Sequence, residues 1–253
     1  MRKITLFVAA ILTLGLAMGC KSGKDAVRPV GGLLDTALGA DQAPETVRMD
    51  KGNIVWETLL DDPQNGLCVR SARCVQDSLS TEGFGVRVTY GTRCTDFPDL
   101  RHGRMPEACF LKDKGELIFI GSSMEGTGVQ VERPYRIRFD ADSTARIVAD
   151  IDPFDMQETF RKHLGYKVSG KEMALYCDGD LLIAVPIPDK QLSDSSVQIG
   201  EQICYDCSDG LQVQVTPGIL TPDSPVPDYE YLPTVTADVT WTETGFSISA
   251  FRL

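Results

Sequence analysis

The sequence predicts a mainly β chain: an antiparallel β-sandwich-like domain with one helix over residues 153–165. Three observations predict it. Apolar and polar residues alternate at period two, as in Phe84, Val86, Val88 and Tyr90, which is the pattern of a half-buried strand. Turn signals follow one another at short intervals, and Asp178-Gly179 between the apolar runs 173–177 and 181–187 is the strongest of them. Only residues 153–165 combine a cap, a helical apolar spacing and a stop.

In chain order, the first twenty residues are a leader rather than a fold element. Arg2 and Lys3 precede the uncharged stretch 4–19, which ends in Ala17-Met18-Gly19-Cys20. A basic start, an apolar middle and small residues before a cut site make a secretory signal. The stretch is short for a membrane span, which needs about 20 apolar residues. These residues resemble the lipobox of bacterial lipoproteins. The resemblance covers 20 of 253 residues and implies that 1–19 are removed and Cys20 is acylated. It implies a lipid bilayer as a partner through Cys20. Because Lys21 rather than Asp follows, it points to the outer membrane of the cell envelope.

Residues 20–50 read as a flexible tether, with Pro29, Gly31 and Gly32 breaking regular structure. Residues 51–253 read as the globular β domain. Strands are expected near 54–56 and 84–90, and a hairpin at 109–120 turns through Lys112-Asp113-Lys114-Gly115. Tyr135, Ile137 and Phe139 alternate, then Asp140-Ala141-Asp142-Ser143-Thr144 turns the chain into Arg146-Ile147-Val148. Asp152 caps the helix, Pro153 suits its first position, and Met156, Phe160 and Leu164 share a face. Gly165 is expected to stop it. Further strands are expected near 197–203, 211–215, 235–241 and 246–253. Five prolines in 217–233 exclude that segment from a sheet interior.

The formal charge is −11, and removing Arg2 and Lys3 with the leader makes it −13. Residues 64–150 are balanced, whereas 151–253 hold 6 basic against 16 acidic residues. Such a balance argues against nucleic acid as a partner, and a cationic or carbohydrate partner is expected where Tyr229 and Tyr231 stand beside carboxylates.

Apart from Cys20, seven cysteines remain: Cys68, Cys74, Cys94, Cys109, Cys177, Cys204 and Cys207. An exported chain permits disulfides, and an odd count leaves one thiol over. Nearness in sequence suggests Cys68 with Cys74 and Cys94 with Cys109. Cys204-x-x-Cys207 reads as a disulfide at a hairpin end, with Cys177 as a further candidate partner. A redox pair there lacks the helix N-terminus that lowers a thiol pKa. Cys68-x₅-Cys74 lacks zinc-knuckle spacing.

His102 and His163 belong to no recognisable triad, and neither a nucleophile elbow nor a His-Glu-x-x-His pattern is present. Asp140-x-Asp142 begins like a calcium loop, but Ala145 and Ile151 stand where Gly and Glu are needed, so it reads as a turn. No catalytic residue, metal ligand or cofactor is therefore assigned. Two loops are the binding candidates. One carries Arg101 and Arg104. The other carries Asp223, Asp228, Tyr229, Glu230 and Tyr231, which, joined by Asp206 and Asp209, would make one acidic rim. The expected function is binding or scaffolding. The alternative is an envelope enzyme, either a carboxylate-dependent hydrolase or a thiol oxidoreductase using Cys204 and Cys207.

Overall fold

A computed structural model describes residues 46–49, 52–76, 79–102, 106–126, 129–187, 192–193, 196–200, 202–221, 227–230 and 232–253. The leader, Cys20 and the tether up to residue 45 lie outside the described residues. Everything described belongs to one unit, Ala43–Leu253.

The chain is mainly β and its pairing mainly antiparallel. Strands β1 (Thr46–Met49), β2 (Gly52–Asp62), β3 (Leu67–Gln76), β4 (Leu79–Tyr90) and β5 (Arg93–His102) form a five-stranded meander in sequence order. Then follow β6 (Glu107–Leu111), β7 (Glu116–Gly126), β8 (Val129–Phe139) and β9 (Ala145–Asp150). Helix α1 (Pro153–His163) leads into the meander β10 (Leu164–Ser169), β11 (Glu172–Cys177) and β12 (Asp180–Pro186). The short β13 (Val197–Gln198) precedes β14 (Gln202–Asp206) and β15 (Gln212–Val215). The short β16 (Gly218–Ile219) precedes β17 (Val235–Trp241) and β18 (Phe246–Arg252). The largest sheet has the order β18-β17-β15-β14-β8-β7-β6, with β9 also on β8. Its β14–β8 pairing is parallel.

Strand β7 shows why the layers stack. Residues 116–120 are all buried, and their side chains alternate between two cores. Leu117 and Phe119 join Val69, Val86 and Val88 beneath the five-stranded sheet. Ile118 and Ile120 join Met156 and Phe160 of α1 and Leu175 of β11. The largest sheet is thus covered on both faces over β7, and each large apolar side chain so buried contributes roughly 1.5–3 kcal/mol. A third cluster, Met173, Ile187, Ile219 and Leu232, lies under β10–β12.

Helix α1 starts as its sequence implies. The Asp152 carboxylate accepts the Phe154 N–H at 2.9 Å, and Pro153 follows the cap. It ends two residues early. Leu164 is extended and opens β10, and Gly165 pairs with Tyr176 rather than terminating the helix. Leu164 is buried in the same core as Phe160, and its N–H still donates to the Phe160 carbonyl as the last helical bond.

Three further local readings differ. Thr46–Met49, placed in the tether by composition, pair with β2. Arg101 and His102, expected in a loop, pair with Phe84 and Gly83 at the end of β5. Pro98 is tolerated there because β5 is an edge strand. A register shift lies opposite at Gly85, whose φ of +80° favours glycine. Finally, Gly218 and Ile219 in the proline-rich segment pair with β13, and Ile219 also bridges Asp228.

Candidate functional site

The sulfur atoms are arranged unlike the sequence expectation. Cys109 on β6 is bonded to Cys207, just beyond β14, with a Cα–Cα distance of 6.1 Å across a sequence separation of 98. The pairing of Cys94 with Cys109 is therefore overturned. Cys94 is exposed on the five-stranded sheet, opposite Thr89, whereas Cys109 faces the core that contains Cys207. The pairing of Cys68 with Cys74 fails on length. Both lie on β3, and six residues of extended chain span about 20 Å, far beyond disulfide reach. Cys68 is not bonded. Cys177 and Cys204 are not bonded either, so the Cys-x-x-Cys pair does not close on itself.

Cys204 is half-buried on β14, which runs parallel to β8 at Val131. The neighbouring Glu132 accepts the Tyr205 N–H at 2.7 Å and a Gln130 amide N–H at 2.9 Å. Burial first, then the negative charges of Glu132 and Glu107, push the Cys204 thiol up to about 11. Burial and Asp178 likewise push the Cys177 thiol up. A thiol at about 11 is roughly one-thousandth thiolate at pH 8, and the thiolate is the nucleophile. Alkylation of the intact protein at pH 8 should therefore label exposed Cys94 well before Cys204, with Cys204 labelling climbing steeply toward pH 10. Mass-spectrometric mapping of the labelled peptides reads this directly, and equal labelling at pH 8 would contradict it.

The principal charged cluster lies on β7 and β8. Glu116, only 4% exposed, accepts from Arg136 at 2.6 and 2.8 Å and from Arg138 at 2.7 Å. Burial alone would raise its carboxyl pKa. The hydrogen bonds and charges of the two guanidiniums outweigh this and hold it below the usual range. Arg136 also lies 6.0 Å from the Trp241 ring centroid. On the five-stranded sheet, Arg87 stacks 4.7 Å from the Trp56 ring and forks onto Asp96 at 2.7 and 3.0 Å. No short motif marks either cluster. Each joins strands at a register that only the folded sheet sets.

The described binding candidates are not brought together. Arg104, Asp223 and Tyr231 lie outside the described residues, as do the side chains of Cys74 and Arg101. Asp228 pairs with Ile219, beyond the Val215 end of the β14–β15 hairpin, whereas Asp206 and Asp209 lie at its turn end. The acidic rim is therefore not formed by the described members. Their carboxylates instead shape turns. Asp206 accepts the Ser208 N–H at 2.8 Å and Asp228 accepts the Glu230 N–H at 3.0 Å. Tyr229 packs on Gly218, where an added Cβ would stand 2.8 Å from its ring. The Asp140 turn carries an ion pair to Arg146, and Asp142 accepts the Thr144 N–H at 3.2 Å, as a simple turn requires. His163 Nδ1 lies 2.8 Å from Asp178 Oδ1, and its ring stands 5.1 Å from Phe251.

Chemically, the described residues hold one structural bridge, two suppressed thiols and two guanidinium-stabilised clusters. Among the described residues, no group of three His, Cys, Asp or Glu side chains is placed to hold a metal ion. Comparison with protein-family models, curated proteins and solved structures gives no match.

Proposed function

We propose that the chain is a lipid-anchored protein of the cell envelope, held at the outer membrane through acylated Cys20, whose β domain binds or scaffolds without chemistry. The observation that carries this reading is the Cys109–Cys207 bridge. Reducing compartments keep such thiols apart, so a bridge joining distant strands supports an exported chain. The lipobox-like residues 17–20 supply the anchor in the same reading. Two or more acyl chains, at roughly 0.8 kcal/mol per buried CH₂, hold a protein stably at a bilayer.

The thiol-oxidoreductase alternative is disfavoured by the partner and the basicity of its own cysteines. Cys207 is committed to Cys109, and Cys204 is a weak nucleophile near neutral pH. A net charge of −13 once Arg2 and Lys3 are removed from the −11 of the full chain favours a cationic partner over nucleic acid.

The test is Cys20→Ala in producing cells fed a labelled fatty acid. The unaltered chain should take up label and sediment with membranes. The variant should take up none and either persist as a longer precursor or leave the membrane fraction. Equal labelling of both chains would refute the anchor.

A further inference from the structure

Strand β9 pairs with β8 on one side, and no described strand pairs with its other side. Such an edge presents backbone groups to another chain, although the Ala145 N–H at its start already donates to Thr95 Oγ1 at 3.1 Å. Its sequence is Ala145-Arg146-Ile147-Val148-Ala149-Asp150. Ile147 is 39% and Val148 47% exposed, high values for large apolar residues. Val148 is the extra residue of a bulge, between the pairs Ile137–Ile147 and Arg136–Ala149, so it has no partner in the β8 ladder.

The charges select the occupant. In an antiparallel copy of the same strand centred on Val148, each Arg146 stands opposite the other chain's Asp150. Ile147 then stands opposite Ala149, and the two Val148 residues face one another. A parallel copy would set Arg146 against Arg146. Both charged side chains already hold internal partners, Arg146 on Asp140 and Asp150 on Arg133. Arg146 is still 66% exposed, so it can share a second carboxylate.

We propose that β9 is a self-association edge, at which two copies of this chain pair antiparallel about a two-fold axis through Val148. Such a contact is isologous: each side supplies the same residues. The ladder is short, well under the roughly 1,000 Å² of a stable interface. The dimer is therefore weak and forms where chains are concentrated on one surface.

The test uses the full chain in the membranes of producing cells. Directly opposed residues have Cα atoms about 4.5–5.5 Å apart, within disulfide reach. Val148→Cys in a Cys94→Ser background should give a disulfide-linked dimer on mild oxidation. Leu181→Cys in the same background replaces a side chain that is 58% exposed against 47% for Val148, and reports random collision. Adding Arg146→Glu to Val148→Cys should lower the dimer yield about tenfold, because like charges then face each other. Adding Asp150→Arg as well should restore it. A thermal melt of each variant shows that it is folded. Dimer from Val148→Cys no greater than from Leu181→Cys would overturn the proposal. So would a yield that the charge reversal leaves unchanged.

Discussion

Replacing Cys109 or Cys207 by Ser should lower the stability of the domain by about 2–5 kcal/mol. The bridge closes a loop of sequence separation 98. For a loop of about 100 residues the chain-entropy model gives roughly 4.7 kcal/mol, and native strain reduces what is delivered. For a chain this size, each kcal/mol shifts Tm by about 2–4 °C, so the midpoint should fall by about 10 °C. A reducing agent should have the same effect on the unaltered protein and none on the variant. The bridge ties the β6 edge to the turn after β14, and both belong to the core with Ile118, Leu211 and Val213. Loosening it should therefore expose that core before the one containing Val69 and Val88, which hydrogen exchange can resolve strand by strand.

Glu116→Gln should cost about 3–5 kcal/mol at neutral pH, because it leaves the Arg136 guanidinium partly buried without its carboxylate. The pH dependence has a definite sign. The folded carboxyl titrates below its ordinary value of 4.5, so folding binds fewer protons at this site. Its stabilisation is present above about pH 4.5 and is lost as the pH falls through the lower folded value. Urea unfolding of the unaltered protein should show that loss, whereas Glu116→Gln should show a flatter acid limb from a lower plateau. Equal acid limbs in the two proteins would mean that Glu116 does not carry the effect.

Much of the fold is legible in the sequence because it is local. Period-two alternation at Val86 and Val88, the Asp178-Gly179 turn and the Asp152 cap each depend on a few neighbours. Strand β5 was harder to read, because Pro98 argues against a strand until Gly85 is known to lie opposite it at a register shift. The cysteine partners were illegible for the same physical reason. Nearness in sequence favoured Cys94 with Cys109, but Cys94 lies exposed on the other sheet, and the bridge joins β6 to the turn after β14 although β7 and β8 lie between them in the sheet order. The Glu116 cluster depends on the β7–β8 register, in which Glu116 faces Arg138 and Ile118 faces Arg136. The separation of Asp228 from Asp206 and Asp209 was illegible, because counting charges carries no information about which end of a hairpin they occupy.

The most direct measurement is non-reducing peptide mapping of the protein isolated from the membranes of producing cells. One digest reads both the anchor and the bridge. The expected result is an N-terminal peptide that begins at Cys20 and carries the mass of acyl chains, together with a linked peptide pair joining Cys109 to Cys207. An intact leader with Cys20 unmodified, and Cys109 and Cys207 both recovered as free thiols, would contradict an exported, lipid-anchored β module.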